Sequence, residues 1–170
     1  MLRAWSRADA AALRPVLVAN VDHLTPWIPA HVATPVALPE LEERLDGFAS
    51  AFAAGVAFRY AIRRCDDERV MGGMSLFPRN TTSRVTVTGA DRAEIGYWLD
   101  SACTGHGFVT EAVSALFTVA TQLPWVSCVE IRCDAANVPS AAVPKRLGFE
   151  LAEVDGALQV WRRSAAIATP

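Results

Sequence analysis

The sequence predicts a single α/β (α+β) domain that spans residues 1–170 and is built on one mixed sheet. A length of 170 residues is typical of one domain and is enough to bury a sizeable core. Helical periodicity dominates the first third of the chain, and alternating apolar patterns follow it. The predicted order is helices, then an antiparallel meander, then strand–helix–strand–helix–strand, which is typical of a mixed sheet flanked by helices.

Two helices are predicted in the N-terminal third. A first strand at residues 2–5 precedes a helix that has Asp9 as its N-cap and runs to about residue 21. Two prolines interrupt the pattern after this helix. A second helix is predicted over 39–54, because proline suits a first helical turn and the glycine at position 55 suits a helix end.

The rest of the chain alternates between strand and helix patterns. In the segment 126–134, the alternation places Glu130, Arg132 and Asp134 on one face of a strand. A glycine-rich turn begins a helix that reaches about residue 123. The remaining predicted elements are strands at 56–64, 69–77, 85–88, 93–99, near Leu151 and at 157–163, and a short helix at 140–147.

Composition excludes several classes of function. Hydrophobic residues make up 52% and charged residues 20% of the chain, and the net charge is -2. This is an ordinary composition for a water-soluble protein and lacks the basic signal of a nucleic-acid partner. Any anion that the protein binds must therefore be held by local geometry.

Cysteine and histidine spacing predicts no metal site. No pair of cysteines has the C-x-x-C spacing of a zinc site, and the histidines stand apart from them. We expect reduced thiols and a cytoplasmic location. The residues concerned are Cys65, Cys103, Cys128, Cys133, His23, His31 and His106.

An uncharged stretch at 112–129 approaches the length of a membrane span. Hydroxyl and amide side chains lie within it, and Pro124 interrupts it. A buried helix followed by a buried strand is the better interpretation, so no membrane partner is expected. The first residues are too polar for a secretory signal.

A glycine-rich turn stands where a predicted strand ends and a helix begins. Residues 104–112 read T-G-H-G-F-V-T-E-A. Free backbone N–H groups and the helix dipole favour an anion there, and Gly105 and Gly107 leave the backbone bare. A tight turn with no ligand explains the same residues. The spacing matches neither a dinucleotide-binding fingerprint nor a P-loop.

Further motifs stand on both sides of this turn in a fixed order. They are E-I-G-Y-W-L-D before the turn, N-V-P-S after the next strand and R-L-G-F at the following helix end. With these motifs the chain resembles the GCN5-related N-acetyltransferase (GNAT) superfamily, in the RimJ/RimL-type branch of ribosomal-protein N-terminal acetyltransferases. The resemblance covers nearly the full length. It implies a mostly antiparallel sheet with a splayed parallel strand pair, acetyl-CoA as cosubstrate and no metal.

The resemblance also implies which residues bind acetyl-CoA. Thr104 stands where the family has Gln or Arg, and Val109 stands where it has a small residue. Backbone groups of the strand before the turn would pair with the pantetheine arm. The implied cofactor-binding residues are Tyr97, Trp98, Leu99, Thr104, Gly105, His106, Gly107, Phe108, Val109, Thr110, Asn137 and Ser140. Asn137 and Ser140 are equally consistent with a turn and a helix N-cap.

Two catalytic residues are implied in the same way. Glu94 matches a position where the family often carries a carboxylate that acts as the base, and a solvent-facing strand residue is the alternative. Glu111 and His106 are weaker candidates. Pro144 stands where many members have the tyrosine that acts as general acid, so Ser140 is the substitute.

The acceptor residues implied by the resemblance are His23, Trp27 and Glu94, with Trp98 as a further wall. The acceptor is a primary amine, on a protein N-terminus or a small molecule, and the acidic overall charge would tolerate a cationic one. Because Thr104, Val109 and Pro144 depart from the family pattern, one alternative to an enzyme remains, namely a CoA-binding module without turnover. A monomer or homodimer is expected.

Overall fold

One open sheet organises the molecule. The protein is represented by a computed structural model that describes residues 1–165. In sheet order the strands are β1, β2, β3, β4, β5, β7 and β6. Their bounds are β1 Leu2–Ala4, β2 Phe58–Arg63, β3 Val70–Arg79, β4 Arg92–Leu99, β5 Cys128–Asp134, β6 Glu150–Asp155 and β7 Leu158–Ser164.

Helices cover both faces of this sheet. Their bounds are α1 Ala10–Ala19, α2 Val21–Leu24, α3 Ala30–Ala33, α4 Leu38–Ala53, α5 Phe108–Ala120 and α6 Val138–Arg146. One apolar cluster packs α5 and α6 on one face and contains Ile95, Val113, Leu116, Val129 and Ile131. The other packs α1 and α4 on the opposite face and contains Leu13, Leu17, Leu41, Leu45 and Val70. The predicted mixed fold is confirmed. Within residues 1–165, no helix is both long and apolar enough to cross a bilayer.

The parallel pairing of β4 with β5 is short. It runs from Arg92 opposite Cys128 to Ile95 opposite Ile131. Beyond Ile95, β4 remains paired with β3 as far as Leu99, while β5 remains paired with β7. The two strands therefore separate, and the β5-facing edge of β4 becomes free over its second half.

Buried charges hold this parallel pair together on the α1/α4 face. Glu94 lies directly opposite Glu130, and the two residues are 4% and 1% exposed. Two adjacent buried carboxylates repel each other and need counter-charges. Arg79 lies between them, with Nη1 2.8 Å from Glu94 Oε2 and Nε 3.7 Å from Glu130 Oε2.

Glu130 is surrounded by guanidinium groups. Arg162 Nε lies 2.7 Å and Arg92 Nη1 3.0 Å from Glu130 Oε1, and Arg132 Nη1 lies 3.5 Å from Oε2. Burial alone would raise the pKa of Glu130, but the hydrogen bonds from Arg162 and Arg92 outweigh it, and the pKa is lowered. The carboxylate is therefore ionised at neutral pH and stabilises the strand pair.

One local prediction was wrong, and one holds only in part. The segment 85–88 is not a strand: a 3₁₀ turn occupies Val87–Gly89, because the Val87 N–H donates to the Gly55 carbonyl at 3.2 Å instead of to a strand. The two prolines that follow α1, Pro26 and Pro29, lie between the short helices α2 and α3. Asp9 occupies the N-cap position of α1 as predicted, but its side chain makes no capping hydrogen bond there, because its carboxylate binds Ser6, Arg3 and Arg63.

Two glycines of β3 bring β4 close to it. A Cβ added to Gly72 would meet the Trp98 carbonyl oxygen and would lie 2.9 Å from Leu99 Cα. A Cβ added to Gly73 would lie 2.5 Å from Trp98 Nε1. Glycine inside a strand indicates a close approach of another chain segment, so this pair carried a signal in the sequence that the prediction did not use. The pair fixes the position of the free half of β4.

We expect Gly72→Ala to lower the free energy of unfolding by about 2 kcal/mol, because the added methyl group meets backbone that cannot rotate away. The matched control is Gly47→Ala in α4, where an added Cβ has no neighbour within 4 Å and alanine favours the helix. Urea denaturation of both variants is the measurement. Equal stability of the two variants would contradict the close approach.

We expect Arg79→Gln to lower the free energy of unfolding by about 3 kcal/mol or more, because Glu94 and Glu130 would lose the guanidinium between them. Arg64→Gln is the control, since Arg64 pairs only with exposed carboxylates at the β2–β3 turn. A loss of similar size in both variants by urea denaturation would show that Arg79 does not hold the strand pair.

Candidate active site

A cleft of about 680 Å³ opens where β4 and β5 separate. The segment of β4 from Glu94 to Trp98 lines its middle. One end is formed by β5 and the start of α6. The other end is formed by the chain between α2 and α3, together with parts of α4, β2 and β3. The cleft therefore passes through the point where the parallel pairing stops.

The α6 end of the cleft is lined by Tyr97, Cys133, Asn137 and Ser140. The Tyr97 hydroxyl donates to the Ser140 carbonyl at 2.9 Å, and Ser140 Oγ lies 3.4 Å from the Tyr97 hydroxyl. Burial raises the pKa of Tyr97, so its phenol stays protonated at neutral pH. Asn137 caps α6, because its Oδ1 accepts from the Ser140 N–H at 3.2 Å. The structure thus brings together the predicted residues Tyr97, Asn137 and Ser140.

The glycine turn at residues 104–107 leads into α5. Gly105 and Gly107 have φ angles of 79° and 82°, in the left-handed region that favours glycine. A Cβ at either position would meet only open space. The first helical hydrogen bond of α5 runs from the Glu111 N–H to the Gly107 carbonyl at 3.0 Å. The preceding N–H groups of the helix start, on Phe108, Val109 and Thr110, therefore have no helical acceptor.

The side chains of the glycine turn lie outside the lining of the cleft. Thr104 Oγ1 donates to the Ser101 carbonyl at 2.9 Å, and His106 Nδ1 lies 2.7 Å from the Thr104 carbonyl. The His106 ring stacks on Phe108 with 5.7 Å between centroids. These contacts fold the side chains back onto the turn and leave its backbone accessible. Val109 is half-buried and packs against the core.

A buried polar network fixes the junction between β4 and the glycine turn. Asp100 Oδ1 accepts from Asn20 Nδ2 at 3.0 Å, and Oδ2 pairs with Arg69 at 2.8 Å. Asn20 Oδ1 accepts in turn from the Ser101 N–H at 2.8 Å. Burial alone would raise the pKa of Asp100, but the hydrogen bonds from Asn20, the Ala102 N–H and Arg69 outweigh it, and the pKa is lowered. The end of α1 and the end of β4 are thereby tied together.

The predicted acceptor residues are only partly brought together. Glu94, Trp27 and Trp98 line the cleft, whereas His23 lies on exposed α2 outside it. Glu94 is buried and does not face solvent, and both of its oxygens are engaged, by Arg79 and Arg84. Leu99 is 8% exposed and packs in the core, so its backbone is the part available to a ligand.

Sequence reasoning missed the arginines of the cleft. They are Arg44, Arg59, Arg79, Arg84 and Arg132. A signal for two of them was present, because Arg59 and Arg79 each lie within a strand of mostly apolar residues. Alternation alone could not show which sheet face carries the cleft.

The residues present fit acetyl-CoA. The free edge of β4 beyond Ile95 offers backbone donors and acceptors to an extended, amide-containing chain. The start of α5 offers unpaired N–H groups to a phosphate beside two glycines that leave room for it. Among residues 1–165, no group of three His, Cys, Asp or Glu side chains is placed to hold a metal ion.

Known structures share this fold. The RimL ribosomal L7/L12 alpha-N-protein acetyltransferase, solved in complex with coenzyme A, superimposes with a TM-score of 0.78 at 22% identity, covering 96% of this chain and 92% of that chain. The Mycobacterium smegmatis RimJ, solved in complex with CoA-disulfide, superimposes with a TM-score of 0.75 at 26% identity, covering 96% and 81%.

Sequence comparisons agree with the fold. A candidate ribosomal N-acetyltransferase of Bacillus subtilis (strain 168), YdaF, is 40% identical over 58 residues, which are 34% of this chain and 32% of that protein. The match thus spans about one third of that relative. Residues 1–150 match the acetyltransferase (GNAT) domain family. Since that match covers most of the chain and includes the β4–β5 cleft and the glycine turn, the protein belongs to the GNAT family of acetyltransferases.

Proposed function

We propose that this protein transfers the acetyl group of acetyl-CoA to a primary amine by direct attack in a ternary complex. The observation that carries the proposal is the cleft at the β4–β5 separation, which joins a free strand edge to an end lined by polar side chains. Two substrates can enter such a cleft from opposite ends and meet beside β4. Holding both in place supplies much of the rate enhancement.

The cofactor end of the proposed site uses mainly backbone. Acetyl-CoA, when bound, supplies the acetyl thioester. The N–H groups at the start of α5 bind its pyrophosphate, with Gly105 and Gly107 leaving the space for it. The free edge of β4 from Tyr97 to Leu99 pairs with the amide groups, and an N–H near Trp98 polarises the reacting carbonyl.

Two side chains move protons in this proposal. Glu94 receives the proton of the amine, directly or through water. Because Arg79 and Arg84 already contact both of its oxygens, the amine shares the carboxylate with them. Ser140, oriented by its contact with Tyr97, donates toward the departing sulfur. A thiolate is a good leaving group, so a weak acid at this position suffices.

The chemical class of the acceptor is inferred from the proteins that this chain resembles. Their names describe acetylation of ribosomal proteins, and the L7/L12 enzyme shares the fold over 96% of this chain. We therefore infer a protein N-terminus as the acceptor, in the cytoplasm where ribosomes work, with a small-molecule amine as the second candidate. The two apolar clusters on either face of one sheet support residues 1–170 acting as one domain.

Calorimetric titration with acetyl-CoA, followed by mass spectrometry of N-terminal peptides, tests the reaction. We expect micromolar binding and acetylated product from the wild-type protein. Gly107→Trp should lose both, because the indole would fill the open space beside the unpaired N–H groups at the start of α5.

Gly156→Trp is the matched control for this variant. Gly156 also has a positive φ, of 56°, and open space around it, but it lies in the β6–β7 turn. The Gly156→Trp variant also places a large side chain on left-handed backbone, and it should retain cofactor binding. Retained affinity in Gly107→Trp would exclude the glycine turn as the phosphate site. Binding without any product would indicate a CoA-binding module instead of an enzyme.

We expect Glu94→Gln to lower kcat/KM by about a hundredfold, with the largest loss below the pKa of the amine, where a proton must be removed. Glu111→Gln is the control, since Glu111 is exposed in the first turn of α5. The pH profile of kcat/KM is the measurement. An unchanged profile would clear Glu94 of the role of base and leave the proton to water.

A further inference from the structure

The acceptor end of the cleft is rich in positive charge, although the whole chain has a net charge of -2. Arg44, Arg59, Arg79 and Arg84 line this end. Among the described residues that line the cleft, the carboxylates are Glu94, beside these arginines, and Asp134, near α6 at the other end. Arg79 and Arg84 both pair with Glu94, which leaves Arg44 and Arg59 as an excess of charge.

Arg59 has no counter-ion in the described part of the chain. Its side chain forms no ion pair there, and its buried Nε has no hydrogen-bond partner. The guanidinium carbon lies 4.4 Å from the centroid of the Phe48 ring and 5.2 Å from that of Phe77. The two rings hold the cation in place, and they supply no acceptor for its N–H groups. A partly buried guanidinium group that lacks an ion-pair partner among residues 1–165 is suited to bind an anionic group of a ligand.

The surrounding groups strengthen the positive potential. Arg84 lies over the same Phe77 ring, with 3.6 Å from its guanidinium carbon to the centroid. Arg44 donates to the backbone carbonyls of Val32 and Thr34, at 3.4 Å and 3.0 Å. Burial lowers the pKa of His31, and the charges of Arg59, Arg44 and Arg84 lower it further. His31 is therefore a neutral wall of a cationic pocket.

Arg84 and the Phe77 ring lie between the carboxylate of Glu94 and the guanidinium group of Arg59. Arg84 contacts Glu94 on one side and the Phe77 ring on the other, and Arg59 lies against the same ring. The carboxylate that would attract an amine is thus separated from the unpaired cation by one guanidinium group and one aromatic ring.

We infer that the acceptor carries an oxyanion, a carboxylate or a phosphate, close to its amine, and that Arg59 binds this anion with support from Arg44 and Arg84. The inference rests on the proposed function and narrows its acceptor class to anionic amines. A guanidinium group suits this role because its planar N–H groups match two oxygens of a carboxylate or phosphate.

Matched acceptor pairs test the inference and identify the source of the anion. The pairs are a peptide beginning Ser-Asp and the same peptide beginning Ser-Asn, serine and serinamide, and phosphoethanolamine and ethanolamine. Acetyl transfer to each is measured as kcat/KM. In the wild-type protein, we expect the anionic member of at least one pair to exceed its neutral partner by about tenfold or more.

In Arg59→Gln the ratio of kcat/KM between the anionic and the neutral member should fall by about tenfold or more relative to the wild-type protein, and in the control Arg64→Gln it should not change. Arg59→Met is the second variant, because it keeps the apolar contact with Phe48 and Phe77 if the glutamine variant folds poorly. A ratio that survives the loss of Arg59 in every pair would overturn the inference.

A binding measurement separates this inference from the proposed reaction. Succinate and succinamide are titrated into the CoA-saturated protein, with tryptophan fluorescence as the readout, since Trp27 and Trp98 line the cleft. Tighter binding of succinate that disappears in Arg59→Gln would support the anion site even if no amine were acetylated. Equal binding of the two compounds, or no binding of succinate, would overturn it even if acetyl transfer occurred.

Discussion

The site depends on how early β4 and β5 stop pairing. Their parallel contact covers four residue pairs and ends at Ile95 and Ile131. Each strand is then held by its other neighbour, β4 by β3 and β5 by β7. Because both outer partners continue, the separation costs only the hydrogen bonds between β4 and β5. The resulting gap therefore provides both a free backbone edge on β4 and the space for a substrate cleft.

A layer of charge lies immediately before this gap. Glu94 and Glu130 face each other in the last part of the parallel register, and five arginines contact them. Such a layer contributes little net stability compared with an apolar one, because desolvation offsets the attraction. The layer matters because of where it lies, since it places a carboxylate and several guanidinium groups at the bottom of the proposed acceptor cleft. Arg59 carries a positive charge that Glu94 and Glu130 do not balance, and this is the charge that we propose for substrate recognition.

The sequence predicted the elements that depend on local periodicity. The strands around Ile95 and Ile131, the helix after Gly107 and the helix after Asn137 lie within a few residues of their predicted bounds, because alternation and capping act over single turns. It failed at 85–88, where the pattern of a strand lacks a partner strand. It also failed to show the importance of Gly72 and Arg59, because an unremarkable residue becomes significant only through what faces it across the sheet.

The sequence alone determined the family and the glycine turn and predicted the residues of the cofactor site, since these are short motifs whose order is fixed along the chain. The tertiary structure decided which of them share a cleft: Trp27, Glu94, Tyr97 and Ser140 do, whereas His23 does not. The tertiary structure also determined that positive charge is in excess at the proposed acceptor end of the cleft. Net charge is a sum over the whole surface, whereas recognition depends on the few groups that β2, β3 and α4 bring within reach of one another.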